Sequence, residues 1–324
     1  MSAARTLRIG TRGSELAMWQ ARQVRTLLAA QPGAPPLEII QIKTEGDQRT
    51  DIPLWQAGGR AFFTREIDQA LVSSRVDVAV HSLKDLSTAL EPGLTLGAVL
   101  EREDPRDALV SRAGSHIAAL SEGARVGTSS LRRRAFLARL RNDLNILELR
   151  GNVPTRVERL FEGRYDAIIL AVAGLKRLGL EDRITHCIPA EEFLPAVSQG
   201  AIGVLARDGD AETLRWLSAL DHAATRQATI AERALLRKVE GGCQIPLGAL
   251  ARLESGQLTL HATVASLDGS TSISAMGRIA IPAAPDAAEH AARELGNRVG
   301  AELLAKGATR IIEMQRRPQP VDAP

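Results

Sequence analysis

Only two of the 324 residues are cysteine, Cys187 and Cys243, far apart and in no CxxC pattern. That spacing excludes a disulfide framework and a cysteine-based zinc site. Nine aromatic residues in the whole chain are too few for the stacking platforms that bind single-stranded nucleic acid. The six histidines are scattered, with no HExxH or paired-ligand spacing, and no metal is expected. No apolar run approaches membrane-spanning length, and no signal-peptide core precedes the strand pattern that starts at Leu7. The expectation is a cytoplasmic protein with neither a membrane nor a nucleic-acid partner. Lysine is also scarce, five residues against 36 arginines. Net charge is only +3, so the basic character is local.

The arginines concentrate between Arg125 and Arg159, a stretch with nine Arg, no Lys and three acids, Asp143, Glu148 and Glu158. A charge run is usually a solvated helix face. Here, however, two strand-to-helix junctions fall inside it. The first follows the apolar run at Val126, where Thr128, Ser129 and Ser130 can cap a helix beginning near Leu131. The second follows Leu144 to Leu149, breaks at Gly151 and Asn152, and restarts with Pro154 in the first helical turn. In a parallel sheet both junctions lie at the carboxyl ends of strands, where open α/β sheets bind ligands. Arg132, Arg133, Arg150 and Arg156 are therefore expected to converge on one crevice beside exposed helix amides. The ligand implied is an anion with several negative groups.

The rest of the chain alternates in the same way. Leu7 to Thr11 reads as a strand, Ser14 caps a helix, and Leu37 to Thr44 is the next strand. Glu45 to Gly59 is long and polar, a candidate mobile loop over a site. A helix near Thr64 to Ser74 leads into VDVAVHS, and Leu94 to Leu100 adds a strand. This β-α-β order indicates a parallel sheet with helices on its faces. YDAIILAVAG and residues 201–207 are strand-like, and Ala211 to Glu240 has a helical pattern. Beyond Cys243 the texture changes to alternating strands with turns at Ser255-Gly256 and Asp268-Gly269. A helix from Asp286 to about Lys306 follows, and the tail after Met314 reads as disordered.

Three places carry further chemistry. VHSLKDL sets His81, Lys84 and Asp85 just after a buried strand. Lys84 is a rare lysine, consistent with a demand for a compact ammonium, while Asp85 has the alternative of an ordinary loop turn to the backbone. His81 at a strand end reads as a satisfied, partly buried residue. GGCQIPLG sets Cys243 on a glycine-rich loop, either a small buried hydrophobe or a thiolate attachment point. Thr11-Arg12-Gly13-Ser14 repeats the strand-end arginine and helix-cap arrangement. No GxGxxG or GxxxxGK phosphate loop occurs.

Seven segments in this order, TRGSELAMWQA, VDVAVHSLKDL, EREDPRDALV, VGTSSLRRR, LRGNVPTR, AGLKRLGL and GGCQIPLGALA, resemble the porphobilinogen deaminase (hydroxymethylbilane synthase) family. The resemblance runs from Leu7 to about Ala251. It implies a transferase of tetrapyrrole (heme) biosynthesis that joins four porphobilinogen molecules head to tail with loss of ammonia. The primer would be a dipyrromethane cofactor held by a thioether to Cys243. The fold implied is α/β: two periplasmic-binding-protein-like domains (residues 1–100 with 201–219, and 101–200), a small α+β domain (220–313) carrying that cysteine, and a tail (314–324). Carried over residue by residue, Lys84, Asp85, Thr128, Ser129, Ser130, Arg132, Arg133, Arg150 and Gly151 would meet the cofactor. Arg12, Ser14, Arg150, Arg156 and Arg177 would meet the substrate, and Asp85 would be catalytic. A monomer is implied.

These assignments agree with the chemistry. A growing pyrrole chain is a polycarboxylate, and arginine grips carboxylates bidentately at about 1.5–3 kcal/mol per charged hydrogen bond. Loss of ammonia leaves a cation shared with the pyrrole nitrogen, which a fixed carboxylate stabilises. One departure concerns the flexible loop, where the family commonly has GGKGLF and this chain has Gly58-Gly59-Arg60-Ala61-Phe62-Phe63. The competing readings are a non-catalytic two-domain anion- or solute-binding protein, which gives Cys243 no role, and an RNA-binding protein using the basic helix.

Overall fold

Short apolar runs bounded by Gly, Pro and polar residues form the strands, and segments with 3.6-residue apolar spacing form the helices that cover them. The computed structural model describes residues 5–44, 46, 64–112, 114–239 and 245–316. Cys243, nearly all of the expected loop from Glu45 through Ala61 to Phe63, and the tail beyond Arg316 lie outside them. The chain divides into two compact units, Met1–Pro105 with Val172–Glu181 and Gln199–Arg226, and Arg106–Ala171 with Asp182–Ser198 and Gln227–Pro324.

The first unit holds a five-stranded sheet of β1 (Leu7–Thr11), β2 (Leu37–Gln41), β3 (Val78–Ser82), β4 (Leu94–Val99) and β10 (Ile202–Arg207), in the order β2-β1-β3-β10-β4. β1 runs parallel to β2 and β3, whereas β10 is antiparallel to both its neighbours. Helix α1 (Glu15–Ala29) covers one core with Ile9, Val24, Leu28, Val80 and Val204. Helix α2 (Arg65–Val72) contributes Ile67 and Leu71 to the other, against Ala79, Leu83 and Leu205. Each such fully buried side chain contributes about 1.5–3 kcal/mol of apolar burial.

In the second unit, β5 (Asp107–Ser111), β6 (Arg125–Gly127), β7 (Asn145–Leu147), β8 (Ala167–Ala171) and β9 (His186–Cys187) form a sheet ordered β7-β6-β8-β5-β9. β6 is parallel to β7 and β8, so the junctions into α3 (Leu131–Leu140) and α4 (Val153–Phe161) open on one edge, as the sequence implied. An antiparallel sheet of β11 (Leu247–Glu254), β12 (Gln257–Ala265) and β13 (Ser272–Ala280) completes the unit. Its first hairpin turns at Ser255 and Gly256, both with positive φ (49° and 74°), the geometry of a tight two-residue turn. The fold class is thus the expected one: two mixed α/β sheets and an α+β part.

The helical pattern expected from Ala211 to Glu240 is present through Val239, but interrupted. Helix α5 (Val172–Arg177) precedes it, and the segment itself splits into α6 (Ala211–Ser218) and α7 (Ala223–Val239). Between them Asp221 accepts the Val99 amide at 2.7 Å and Arg226 Nε at 2.6 Å, and the His222 amide donates to Val99 O at 2.8 Å. Those bonds to the sheet edge compete successfully with the helical ones. Helix α8 (Pro285–Ala305) was expected, but α9 (Ala308–Arg316) was not; it carries on past Met314 because Ile311 and Ile312 pack into the third core. No helix among the described residues is long and apolar enough to cross a membrane.

At the amino ends of β1 and β3, Asp77 is wholly buried and collects Arg5, Arg8 and Arg207. Burial pushes its carboxyl up, but hydrogen bonds from Arg8, Arg5 and Arg207 outweigh burial and hold it well below the usual carboxylate range. A depressed native value stabilises the fold above the unfolded-state pKa of about 3.9, and that contribution disappears as pH falls through the native value. Asp77→Asn should therefore cost about 2–3 kcal/mol at pH 7, less than a fully buried pair because Arg5 and Arg8 are partly exposed. Melting curves of both proteins from pH 7 to pH 2 should converge on the acid side; a gap unchanged across that range would refute the assignment.

Candidate functional site

In the first unit, the sequence places chemistry just beyond the carboxyl ends of β1 and β3, which are adjacent and parallel. After β1 come Arg12, Gly13 and Ser14. Ser14 is the N-cap of α1, its Oγ accepting the Ala17 amide at 3.3 Å. One turn on, buried Gln20 donates from Nε2 to Ser82 Oγ at 2.8 Å and ties α1 to the last residue of β3. Leu83, Lys84 and Asp85 then form a single 3-10 turn, anchored by the buried Leu83 side chain and by its amide bond to Ala201 O at 3.0 Å. Lys84 Nζ donates to Gln199 Oε1 at 3.2 Å, and Gln199 Nε2 donates to Pro105 O at 2.8 Å.

The ammonium of Lys84 is thus met by an amide that is itself anchored to the backbone. The Asp85 carboxylate is half-buried and takes no hydrogen bond or ion pair from any described residue. His81, expected to be satisfied, is buried with Nε2 3.4 Å from the Asp68 carboxylate, yet among the described residues that nitrogen makes no hydrogen bond, against the expectation. Arg177 is mostly absorbed by the fold. Its Nη2 donates to Gly200 O at 2.6 Å and its guanidinium lies 5.6 Å from the Trp19 ring centroid. Burial lowers its pKa to about 10, with Glu103 opposing. Gly200 has φ +90°, and a Cβ there would fall 2.2 Å from Glu103 O, so only glycine fits.

In the second unit the two arginine-bearing junctions are joined. Ser129 Oγ donates to Leu149 O, linking the turn after β6 to the residue before Arg150. Thr128 Oγ1 accepts the Ser130 amide at 3.2 Å, and Ser130 Oγ accepts the Arg133 amide at 3.4 Å as the N-cap of α3. Both hydroxyls accept in these bonds and keep an O–H to donate. The backbone at Gly151 has φ +107°, a conformation that favours glycine, and Asn152 caps α4 by accepting the Thr155 amide at 2.9 Å. Arg156 Nε closes the turn onto Gly151 O at 2.7 Å. Arg150 Nη1 is buried with no hydrogen-bond partner.

Arg132 and Arg133 depart from the picture of open guanidiniums. Both are buried, and both meet one carboxylate, Asp107, which the sequence reading did not single out. Arg134 is the exposed member of the run. The only sequence signal for Asp107 is its place in EREDPRDALV at the start of β5. Burial lowers the Arg132 pKa and the neighbouring Arg133 lowers it further, Asp107 opposing. Arg132 Nε, like Arg150 Nη1, is a buried donor without an acceptor. Two such donors, two capping hydroxyls and the free amides at the start of α3 fit a ligand with several carboxylates. Among the described residues no cluster of His, Cys, Asp and Glu could hold a metal ion.

Each of the two units is an α/β frame with a capped helix and charged side chains beyond the ends of its parallel strands, the arrangement of the ligand-binding α/β class. Residues 7–215 match the family model for the porphobilinogen deaminase dipyromethane cofactor binding domain, and residues 226–305 match the model for the C-terminal domain of porphobilinogen deaminase. The chain belongs to the porphobilinogen deaminase family. It is 47% identical over 309 residues to the porphobilinogen deaminase of Syntrophobacter fumaroxidans, covering 95% of this chain and 97% of that protein. It is 49% identical over 309 residues to the enzyme of Acidithiobacillus ferrooxidans, again covering 95% and 97%. It is 52% identical over 265 residues to that of Roseiflexus castenholzii, covering 82% and 87%.

The contrast along the LRRR run is testable. Arg133→Leu leaves buried Asp107 short of a partner and should cost about 3 kcal/mol or more of stability. Arg134→Leu, on the exposed face, should stay within about 0.5 kcal/mol. Urea unfolding checks both, and equal midpoints would show that Arg133 is not buried as described.

Proposed function

We infer that this chain joins four porphobilinogen molecules head to tail, releasing one ammonia at each step and finally a linear hydroxymethylbilane. The observation that carries the mechanism is the Asp85 carboxylate, half-buried and without a hydrogen bond or ion pair from any described residue. As ammonia leaves, positive charge spreads onto the substrate's pyrrole nitrogen. A carboxylate already fixed next to that N–H stabilises the developing cation without having to reorganise. The same carboxyl group passes a proton to the departing amine and takes one from the attacked ring carbon. Lys84, held by Gln199, offers a donor to a substrate carboxylate.

When bound, the dipyrromethane group supplies a nucleophilic pyrrole carbon and its own carboxylates, with Cys243 as the thioether anchor. Arg132, Arg133, Arg150, Thr128, Ser129, Ser130 and the Gly151 turn would hold those carboxylates. Arg12, Ser14 and Arg156 are assigned to the incoming acetate and propionate. Arg177 acts on the substrate through the Gly200 turn, which its side chain holds in place. The gap between the two matched models, at residues 215 and 226, supports reading residues 220–313 as a separate carrier domain. The reading includes a cytoplasmic monomer working on a small-molecule substrate.

Intact-mass measurement is the direct test. The purified chain should exceed its sequence mass by two pyrrole units, and Cys243→Ser should lose that surplus. A bare mass in protein that turns over porphobilinogen would overturn the reading, and a bare, inactive protein would favour a non-catalytic anion binder. Asp85→Ala should lower turnover by on the order of a hundredfold or more, through loss of a preorganised charge. Turnover within a few-fold of wild type would remove Asp85 from the mechanism.

A further inference from the structure

Asp107 opens β5 and is wholly buried. Its Oδ1 accepts from Arg133 Nε at 3.0 Å and from Arg133 Nη2 at 2.7 Å, and its Oδ2 lies 2.7 Å from Arg132 Nη2. Each arginine is also tied at its other end. Arg133 Nη1 donates to Ile169 O at 2.8 Å, and Arg132 Nη1 donates to Leu194 O at 2.7 Å. The ring of Phe193 packs on Arg132, its centroid 5.6 Å from the guanidinium carbon. Neither guanidinium can swing without breaking several of these bonds.

Two independent features of this cluster are left open. Asp107 and the two arginines together carry one unit of positive charge in a place closed to water, where an uncompensated charge is costly. Separately, Arg132 Nε is buried and has no acceptor. A pairing built for stability alone would match one carboxylate to one guanidinium and satisfy every N–H. One carboxylate brought from outside would remedy both defects at once.

We propose that Asp107 is a positioning residue for ligand capture: it orients Arg132 and Arg133 and cancels one of their two charges, so that the pair takes a single ligand carboxylate. The proposal rests on the function inferred above, with the dipyrromethane primer as the ligand. Asp107 acts through the arginines and does not itself touch the primer. Without it, two like charges would face each other in the interior, and the side chains would separate or draw in stray anions. The donor fork offered to the primer would then be lost even in a folded chain.

Asp107→Asn in the full-length chain keeps the shape and one acceptor oxygen but removes the charge. Asp166→Asn is the control, because Asp166 also pairs with an arginine, Arg125, in the same unit, at a partly exposed place. For each protein, circular dichroism reports folding, and intact mass reports the fraction carrying the two-pyrrole surplus. The rate at which primer-free protein gains that mass during incubation with porphobilinogen, and the rise in melting temperature on loading, complete the set. Asp107→Asn is expected to load at least tenfold more slowly and to gain less than half of the wild-type rise in melting temperature. Asp166→Asn is expected to load at the wild-type rate even if it melts earlier.

A folded Asp107→Asn that loads at the wild-type rate and level, with only a lower melting temperature, would show Asp107 to be a structural prop. If Asp107→Asn does not fold, Asp107→Glu decides the matter, since it keeps the charge one methylene further out. It is expected to load to at least half the wild-type extent but more slowly, and loading at the wild-type rate would overturn the positioning role. A wild-type chain with no surplus mass would overturn the functional reading itself, a failure distinguishable from either of these.

Discussion

A guanidinium withdrawn from water brings five N–H groups and a charge that all need partners, and this requirement governs the arrangement of the second unit. Arg132 and Arg133 are buried on the first turn of α3, so β5 must begin with an acid, and Ile169 and Leu194 must turn carbonyls towards them. The strand order β8-β5 follows the same logic, since β5 supplies the carboxylate and β8 the Ile169 carbonyl. In the first unit, Asp77 plays the corresponding part at the opposite ends of the strands, but three arginines surround it and two of them reach solvent. That cluster is anchored by the fold alone. The one around Asp107 is left with a buried N–H to spare.

Parallel pairing does the rest of the positioning. Because β1 and β3 run the same way, Ser14 at one end and Ser82 to Asp85 at the other emerge side by side, and Gln20 can stitch the two junctions with one amide. Because β6 and β7 run the same way, Ser129 reaches Leu149 O. The helices that follow β1, β6 and β7 each begin with a hydroxyl or amide cap, so their first turns are fixed by a local hydrogen bond, whereas the turn with Lys84 and Asp85 is held by buried Leu83. Local capping chemistry in the sequence thus becomes rigidity in the site.

That local chemistry is also what could be read without coordinates. The caps at Ser14, Ser130 and Asn152, the Pro in the first turn of α4 and the Ser255-Gly256 turn are visible as residues because each is selected by backbone geometry at a single position. Strands β1 and β3 are visible because they are continuous apolar runs. The break at Asp221-His222 was not, because it is imposed by the edge of β4, a partner more than a hundred residues away. Helix α9 was obscured by a polar, Pro-rich tail, although Ile311 and Ile312 give it a buried face. Arginine number could not show which guanidiniums would be turned inward. That depends on Asp107, whose partners are distant in sequence and share no local pattern with it.

The scarcity of lysine becomes informative at this point. Arginine can be buried here because its planar fork finds two or three fixed acceptors, a carboxylate and a carbonyl, and keeps its charge even when burial lowers its pKa. An ammonium in the same place would have a single point of attachment and would shed its proton more readily. Lys84 occupies a different setting: partly exposed, with its ammonium on the Gln199 side-chain amide oxygen. A compact, flexible ammonium adapts to such a place, where a planar guanidinium would need several fixed acceptors. Arg132 and Arg133 thus stand buried among fixed acceptors, and Lys84 nearer the surface.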